Sequence, residues 1–169
     1  MICVPALQGP PLEGLYFFGA ASKMSAMRAL GLDVGSKTIG VAITDEANIA
    51  AHPLTVLERM GNVKDARVIA ELCTQHAISD VVIGMPFELS GRVGLRARRV
   101  QELINVVRPA LAALPAAPKI HEQDERFTTA QAQRVLIEAD MSRQKRKGVI
   151  DQQAAALILQ GWMDGHRPK

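Results

Sequence analysis

Cysteine is nearly absent from this sequence. The 169 residues include only Cys3 and Cys73, in no Cys-x-x-Cys or Cys/His pattern, which argues against a disulfide framework or a zinc site and suits a reducing compartment. Aromatic residues make up 4%, so a core has to be built from Ala, Val, Ile and Leu. No apolar run reaches the ~18–20 residues of a membrane span; the expectation is a cytoplasmic protein with no membrane partner. The first 27 residues lack a basic start and an unbroken apolar stretch, and Pro5, Pro10 and Pro11 interrupt them. They do not read as a secretory signal but as a disordered extension ahead of one domain over residues 28–169.

A hydrophobic content of 48% is enough for a single compact core. The net charge of +3, with a pI near 9.1, permits a polyanionic partner without requiring one. Residues 29–33 form a short apolar run closed by a turn at Val34-Gly35-Ser36, and residues 38–44 alternate Ile39, Val41 and Ile43 with Gly40 and Ala42. That period of two predicts a β-hairpin. A third strand is expected over 49–57, with Pro53 pushing it toward an edge or a bulge. Asn62 is placed to cap a helix bearing Val63, Ala66, Ile69, Leu72 and Cys73. The run Val81-Val82-Ile83 has the continuous apolar character of a buried parallel strand. A second helix presents Val100, Leu103, Ile104, Val107 and Leu111, and a last strand over 119–123 has Asp124 at its exit. A capping box at Thr128–Gln131 opens another helix. A basic loop follows, hinged at Gly148, and a final helix runs from about 149 to 163. The fold class is α/β with a mixed sheet.

Three acidic positions stand out. Asp33 ends an apolar strand, where open α/β sheets place their ligands, although Asp-x-Gly turns also occur for purely structural reasons. Asp124 and Glu125 follow the last strand; neighbours in an extended segment point to opposite faces, so only one of the two can join Asp33. Asp124 is the first choice, being nearest the strand. Asp151 shares a helical stripe with Ala154, Ala155, Ile158 and Trp162, and a carboxylate on an apolar stripe is costly unless paired or bound to metal. Carboxylates converging from separate elements suit Mg²⁺ or Mn²⁺, and two such ions hydrolyse phosphodiesters. Arg143, Lys145, Arg146 and Lys147 form a basic cluster beside Asp151; together with Lys37, Arg92 and Arg126 they are candidate contacts for nucleic-acid phosphates. A second basic group comprises Arg92, Arg96, Arg98 and Arg99. The four histidines have no ligand spacing and read as structural or surface residues.

The segments Leu32-Asp33-Val34-Gly35-Ser36-Lys37, Val82-Ile83-Gly84-Met85-Pro86, Asp124-Glu125-Arg126-Phe127-Thr128-Thr129 and Asp151-Gln152-Gln153-Ala154-Ala155-Ala156, in this order, resemble the YqgF/RuvX family. The resemblance covers about 28–164. It implies an RNase H-like fold, with a five-stranded sheet flanked by helices, and a metal-dependent nuclease that matures the precursor of 16S ribosomal RNA. It also implies that Asp33, Asp124 or Glu125, and Asp151 are the active-site acids. One departure is that Glu88-Leu89-Ser90-Gly91 stands where the family has Asn-x-Asp-Gly. The residues leave other readings open: a Holliday-junction or other DNA nuclease acting on branched or single-stranded DNA, a phosphotransferase of the sugar-kinase type, or a non-catalytic adaptor. A monomer or a homodimer is expected.

Overall fold

The computed structural model describes residues 28–87, 94–124 and 143–166, with side chains in the last segment described from residue 153 onward. Five strands and three helices occupy these residues: β1 (Arg28–Val34), β2 (Thr38–Thr44), β3 (Ala51–Glu58), α1 (Asn62–Gln75), β4 (Ile78–Met85), α2 (Leu95–Ala112), β5 (Lys119–Asp124) and α3 (Arg143–His166). The strands form one mixed sheet in the order β3-β2-β1-β4-β5. β1 and β2 are the antiparallel hairpin that the alternation predicts, while β4 runs parallel to β1, and β5 parallel to β4. The expected helix opened by Thr128 lies outside the described residues, as does the loop at Glu88–Gly91.

β3 is an edge strand, and its register slips between Val41 and Ala42, which pair with Thr55 and Pro53. Leu54 is therefore the extra residue of a bulge beside Pro53, whose missing N–H cannot serve a ladder. The strand starts at Ala51 rather than at the expected Ile49. The Asp45 carboxylate accepts the Ile49 N–H at 2.7 Å and the Ala50 N–H at 3.3 Å, holding that stretch in a turn. The α1 cap is also corrected. Gly61, at φ 104°, precedes the helix and Asn62 is its first residue. The Asn62 side-chain oxygen accepts from Arg59 instead, at 2.6 Å. Val63 is 74% exposed rather than buried, whereas Ala66, Ile69 and Cys73 do face the core. Burial pushes the Cys73 thiol up to about 12, leaving it protonated and inert near neutral pH.

The basic segment is not a loop. Arg143–Lys147 lie in the opening turns of α3, and Gly148 is inside the helix. Arg, Lys and Gln are good helix formers, and one glycine costs only about 1 kcal/mol, too little to break so long a helix.

The two faces of the sheet are packed with residues of different size. α1 and α2 cover large side chains, among them Leu30, Leu32, Ile39, Val41, Ile83 and Met85, with all five residues of the predicted α2 stripe buried there. α3 covers the other face, where Ala29, Ala42 and Val82 meet Ala155, Ala156, Ile158, Leu159 and Met163. Gly31 permits the closest approach: a Cβ there would sit 2.7 Å from the Leu159 Cβ and 2.8 Å from the Ala155 carbonyl oxygen. Gly31→Ala therefore forces the helix off the sheet. It is expected to cost about 2–3 kcal/mol, as overpacking does, and to lower the melting temperature by roughly 5–10 °C. An unchanged thermal melt would show that α3 moves aside freely.

Candidate active site at the carboxyl edge of the sheet

β1, β4 and β5 run in one direction, so their carboxyl ends share one edge. Asp33 is the penultimate residue of β1 and Asp124 the last of β5. The register aligns Leu32 with Ile83, and Gly84 with Gln123; one step on, Asp33 is level with Gly84. Two interstrand spacings of ~4.8 Å set β1 and β5 roughly 10 Å apart. Between them the buried Gly84 has no side chain to fill the gap.

Strand alternation assigns faces. Leu30 and Leu32 pack toward α1 and α2, whereas Ala29 packs under α3. Asp33 shares the parity of Ala29 and Gly31, and so lies on the α3 face. In β5, Ile120 packs toward α1 and α2. His121, by contrast, meets Trp162 of α3 with ring centroids 4.9 Å apart, and Gln123 lies 3.9 Å from where a Cβ on Gly161 would be. The odd positions of β5 therefore face α3, and Asp124, level with Met85, has the opposite parity. Asp33 and Asp124 share an edge but not a face.

α3 runs against the direction of β1. Gly31 lies beneath Ala155 and Leu159, while farther along the helix the Gln160 side-chain oxygen accepts the Ala51 N–H at 3.0 Å. Ala51 pairs with Thr44 at the opposite edge of the sheet. From Gly31 to Asp33 the strand advances ~6.6 Å, and from Ala155 back to Asp151 the helix rises about 6 Å, at ~1.5 Å per residue. The backbone at Asp151 thus comes level with Asp33. Among the described residues no three His, Cys, Asp or Glu side chains gather as a metal site. Of the four candidate acids, Asp33 and Asp124 have described side chains; Glu125 lies outside the described residues, and α3 places Asp151 by its backbone alone.

Arg59 does not stand out in the sequence. Only its place just after a strand could have flagged it. Its backbone N–H donates to the Lys37 carbonyl at 2.9 Å. Its guanidinium donates to the Gly35 carbonyl at 3.1 Å, to Asn62 and to Asp65, and so ties the turn following Asp33 to the start of α1. Asp65 is 3% exposed and also accepts the Met60 N–H at 2.9 Å. Of the candidate nucleic-acid contacts, Lys37 is exposed in this turn and Arg143–Lys147 stand at the start of α3, while Arg92 and Arg126 lie outside the described residues. The histidines behave as expected: His121 bonds Asp80 at 2.7 Å, far from the carboxyl edge, and His76 caps the end of α1.

The family described as RuvX: Holliday junction resolvase matches residues 27–165. The chain belongs to the RuvX family. Proteins named "Putative pre-16S rRNA nuclease" are similar to it throughout. The one from Myxococcus xanthus is 39% identical over 142 residues, covering 84% of this chain and 91% of its own length. The one from Thermoanaerobacter pseudethanolicus is 42% identical over 144 residues, covering 85% of this chain and 100% of its own. Among solved structures, the fold matches Thermus thermophilus RuvC in complex with a Holliday junction substrate, with a TM-score of 0.51 at 17% identity over 81% of this chain and 96% of RuvC. It also matches the fowlpox virus resolvase bound to Holliday junction DNA, with a TM-score of 0.54 at 13% identity over 82% and 98%. The fold is thus RNase H-like, as the resemblance implied. This RuvX chain is a nuclease, a hydrolase of nucleic-acid phosphodiester bonds, and divalent-metal dependence goes with that class.

The Arg59–Asp65 pair can be tested for its hold on the site. Asp65→Ala strands both the guanidinium and the Met60 N–H, and is expected to cost about 3 kcal/mol. Asp65→Asn retains an acceptor and should cost less. Urea denaturation of the two variants ranks them, and equal midpoints would assign the loss to packing alone.

Proposed function

We propose that Asp33, Asp151 and the acid leaving β5 hold Mg²⁺ or Mn²⁺ and cut the phosphodiester backbone of the precursor of 16S ribosomal RNA in the cytoplasm. The observation that carries this is the meeting at one sheet edge of Asp33, the β5 exit and the turn of α3 that bears Asp151, around the bare backbone of Gly84. Carboxylate oxygens are the donor set that hard divalent cations prefer. Bound ions supply Lewis acidity, making a water nucleophilic near neutral pH and neutralising charge on the phosphate.

The chain's own residues have separate tasks. Asp33, fixed in a strand interior to the sheet, sets the position of the site. The alternation of β5, in which His121 and Gln123 face α3, puts Asp124 on the other face from Asp33 and leaves Glu125 as the first candidate for the third acid. Arg143, Lys145, Arg146 and Lys147 hold substrate phosphates, with Lys37, Arg92 and Arg126 as further phosphate contacts. The names of the relatives favour an RNA precursor, whereas the family description names a Holliday junction; branched DNA is the second reading. The family match opens at residue 27, which supports a functional domain over 28–169 with residues 1–27 as an extension.

Cleavage of matched RNA and DNA substrates with Mn²⁺ separates the two readings. Asp33→Asn should abolish cleavage with an unchanged melt, and Glu125→Gln should reduce it far more than Asp124→Asn. The reverse order for the last two would restore Asp124 as the ligand. Neutral substitutions at Lys145, Arg146 and Lys147 should weaken binding of all sequences alike. They should also flatten the log–log salt dependence by roughly 0.7–0.9 for each phosphate left without its cation, a change that filter binding in a salt series reads. An unaltered slope would mean that these charges face only solvent.

A further inference from the structure

On the α1–α2 side of the same edge lies a cavity of about 400 Å³, lined by Ser36, Arg59, Gly61, Asn62, Arg99 and Glu102. That volume is within the range of small-molecule sites, ~300–1,000 Å³. We propose that this cavity receives one unpaired nucleotide of the substrate strand, adjacent to the cut. The proposal rests on the nuclease reading above and adds to it where the strand goes.

The lining divides into groups already engaged and groups free to bind. Arg59 is committed to Gly35, Asn62 and Asp65, and forms a fixed wall whose charge Asp65 offsets. Arg99 is exposed and takes part in no hydrogen bond or ion pair among the described residues, even though Glu102 is one turn away. The Ser36 hydroxyl is likewise without a partner among the described residues. A free guanidinium and a free hydroxyl opening on one cavity are donors for a phosphate. Asn62 spends its carbonyl oxygen on Arg59 and keeps its amide N–H groups. Glu102 adds an acceptor. Together they match a base edge, which presents donors and acceptors side by side.

Exposed apolar side chains occur on the elements that line the cavity. Of the four large hydrophobic residues exposed among the described ones, three border this cavity in sequence: Met60 at 58%, Val63 at 74% and Leu95 at 75%. Met60 and Val63 flank Gly61 and Asn62, and Leu95 precedes Arg99 by one helical turn. Apolar groups on the same elements as the phosphate donors favour a nucleotide over a free phosphate.

Position and shape set the rest. Ser36 follows Asp33 by three residues, at most ~11 Å of chain, so the bound nucleotide is one or two away from the cut. A base inside a concave pocket cannot keep its complement; the strand must be unpaired there, crossing the sheet edge from the α3 face to the α1–α2 face.

The test is a titration of the full chain with a nucleoside 5′-monophosphate, and separately with inorganic phosphate, followed by amide chemical shifts. The monophosphate should shift Ser36, Gly61 and Arg99 saturably, and inorganic phosphate should do so much more weakly. Equal responses would reduce the cavity to an anion site and overturn the proposal. Arg99→Gln, an exposed position without a partner, should weaken single-stranded oligonucleotide binding about tenfold, with little change for blunt duplex. This is measured without divalent metal in the Asp33→Asn background. Leu95→Ser should weaken the monophosphate but not inorganic phosphate. Absence of shifts in the wild-type chain, or wild-type affinity in Arg99→Gln, removes the pocket while cleavage still supports the nuclease. Monophosphate binding in a chain that cuts neither RNA nor DNA would fault the nuclease reading instead.

Discussion

The close approach of α3 to β1 at Gly31 governs the geometry of everything at the carboxyl edge. A helix packed on a sheet through Leu and Ile rides high. Here the sheet side of the contact is Gly31, Ala29 and Ala42, so that Ala155, Ala156 and even Leu159 of the helix come down close to the strands. The helix sits low enough for a backbone carbonyl to lie within 2.8 Å of where a single methyl group would be. A short carboxylate such as aspartate reaches only a few ångströms, so acids on a strand and on a helix can share an ion only if their backbones are drawn this near. The small-residue face does that, and the large-residue face beneath α1 and α2 supplies the stability that it cannot.

The opposite side of the edge is fixed by different means. Arg59 and Asp65 bind the turn after Asp33 to the head of α1 with charge-assisted hydrogen bonds rather than apolar burial. Such bonds are directional, and so they set where Ser36 and Lys37 stand as well as how firmly. The site is held between an apolar contact on one face and a polar clasp on the other, and a nucleic-acid strand draped over the edge would meet both.

Much of this is legible in the residues. The β1–β2 hairpin follows from strict alternation, β4 from a continuous apolar run, and the buried face of α2 from its stripe. Asp33 stands out because strand exits bind ligands. Two of the features that the sequence misleads on share a cause, in that a polar group is captured by a neighbour three or four residues away. Asn62 looks like a cap until Arg59 takes its oxygen, and Ile49 looks like a strand residue until Asp45 takes its N–H. The Arg143–Lys147 run has loop-like polarity but helix-forming side chains. The choice between Asp124 and Glu125 is not legible from the residues, because the face of Asp124 shows only once His121 and Gln123 are seen against α3.

The Ala51–Gln160 hydrogen bond joins residues 109 positions apart, and α3 packs mainly against the three strands that come first in the chain. Closing so long a segment is entropically costly and slow, so the sheet and the α1–α2 layer can collapse while the small-residue face is still wet. In a chain caught at that stage the sheet edge exists, but the helix that carries Asp151 has not docked. If Asp151 serves the site as proposed, an incompletely folded copy would leave nucleic acid around it uncut.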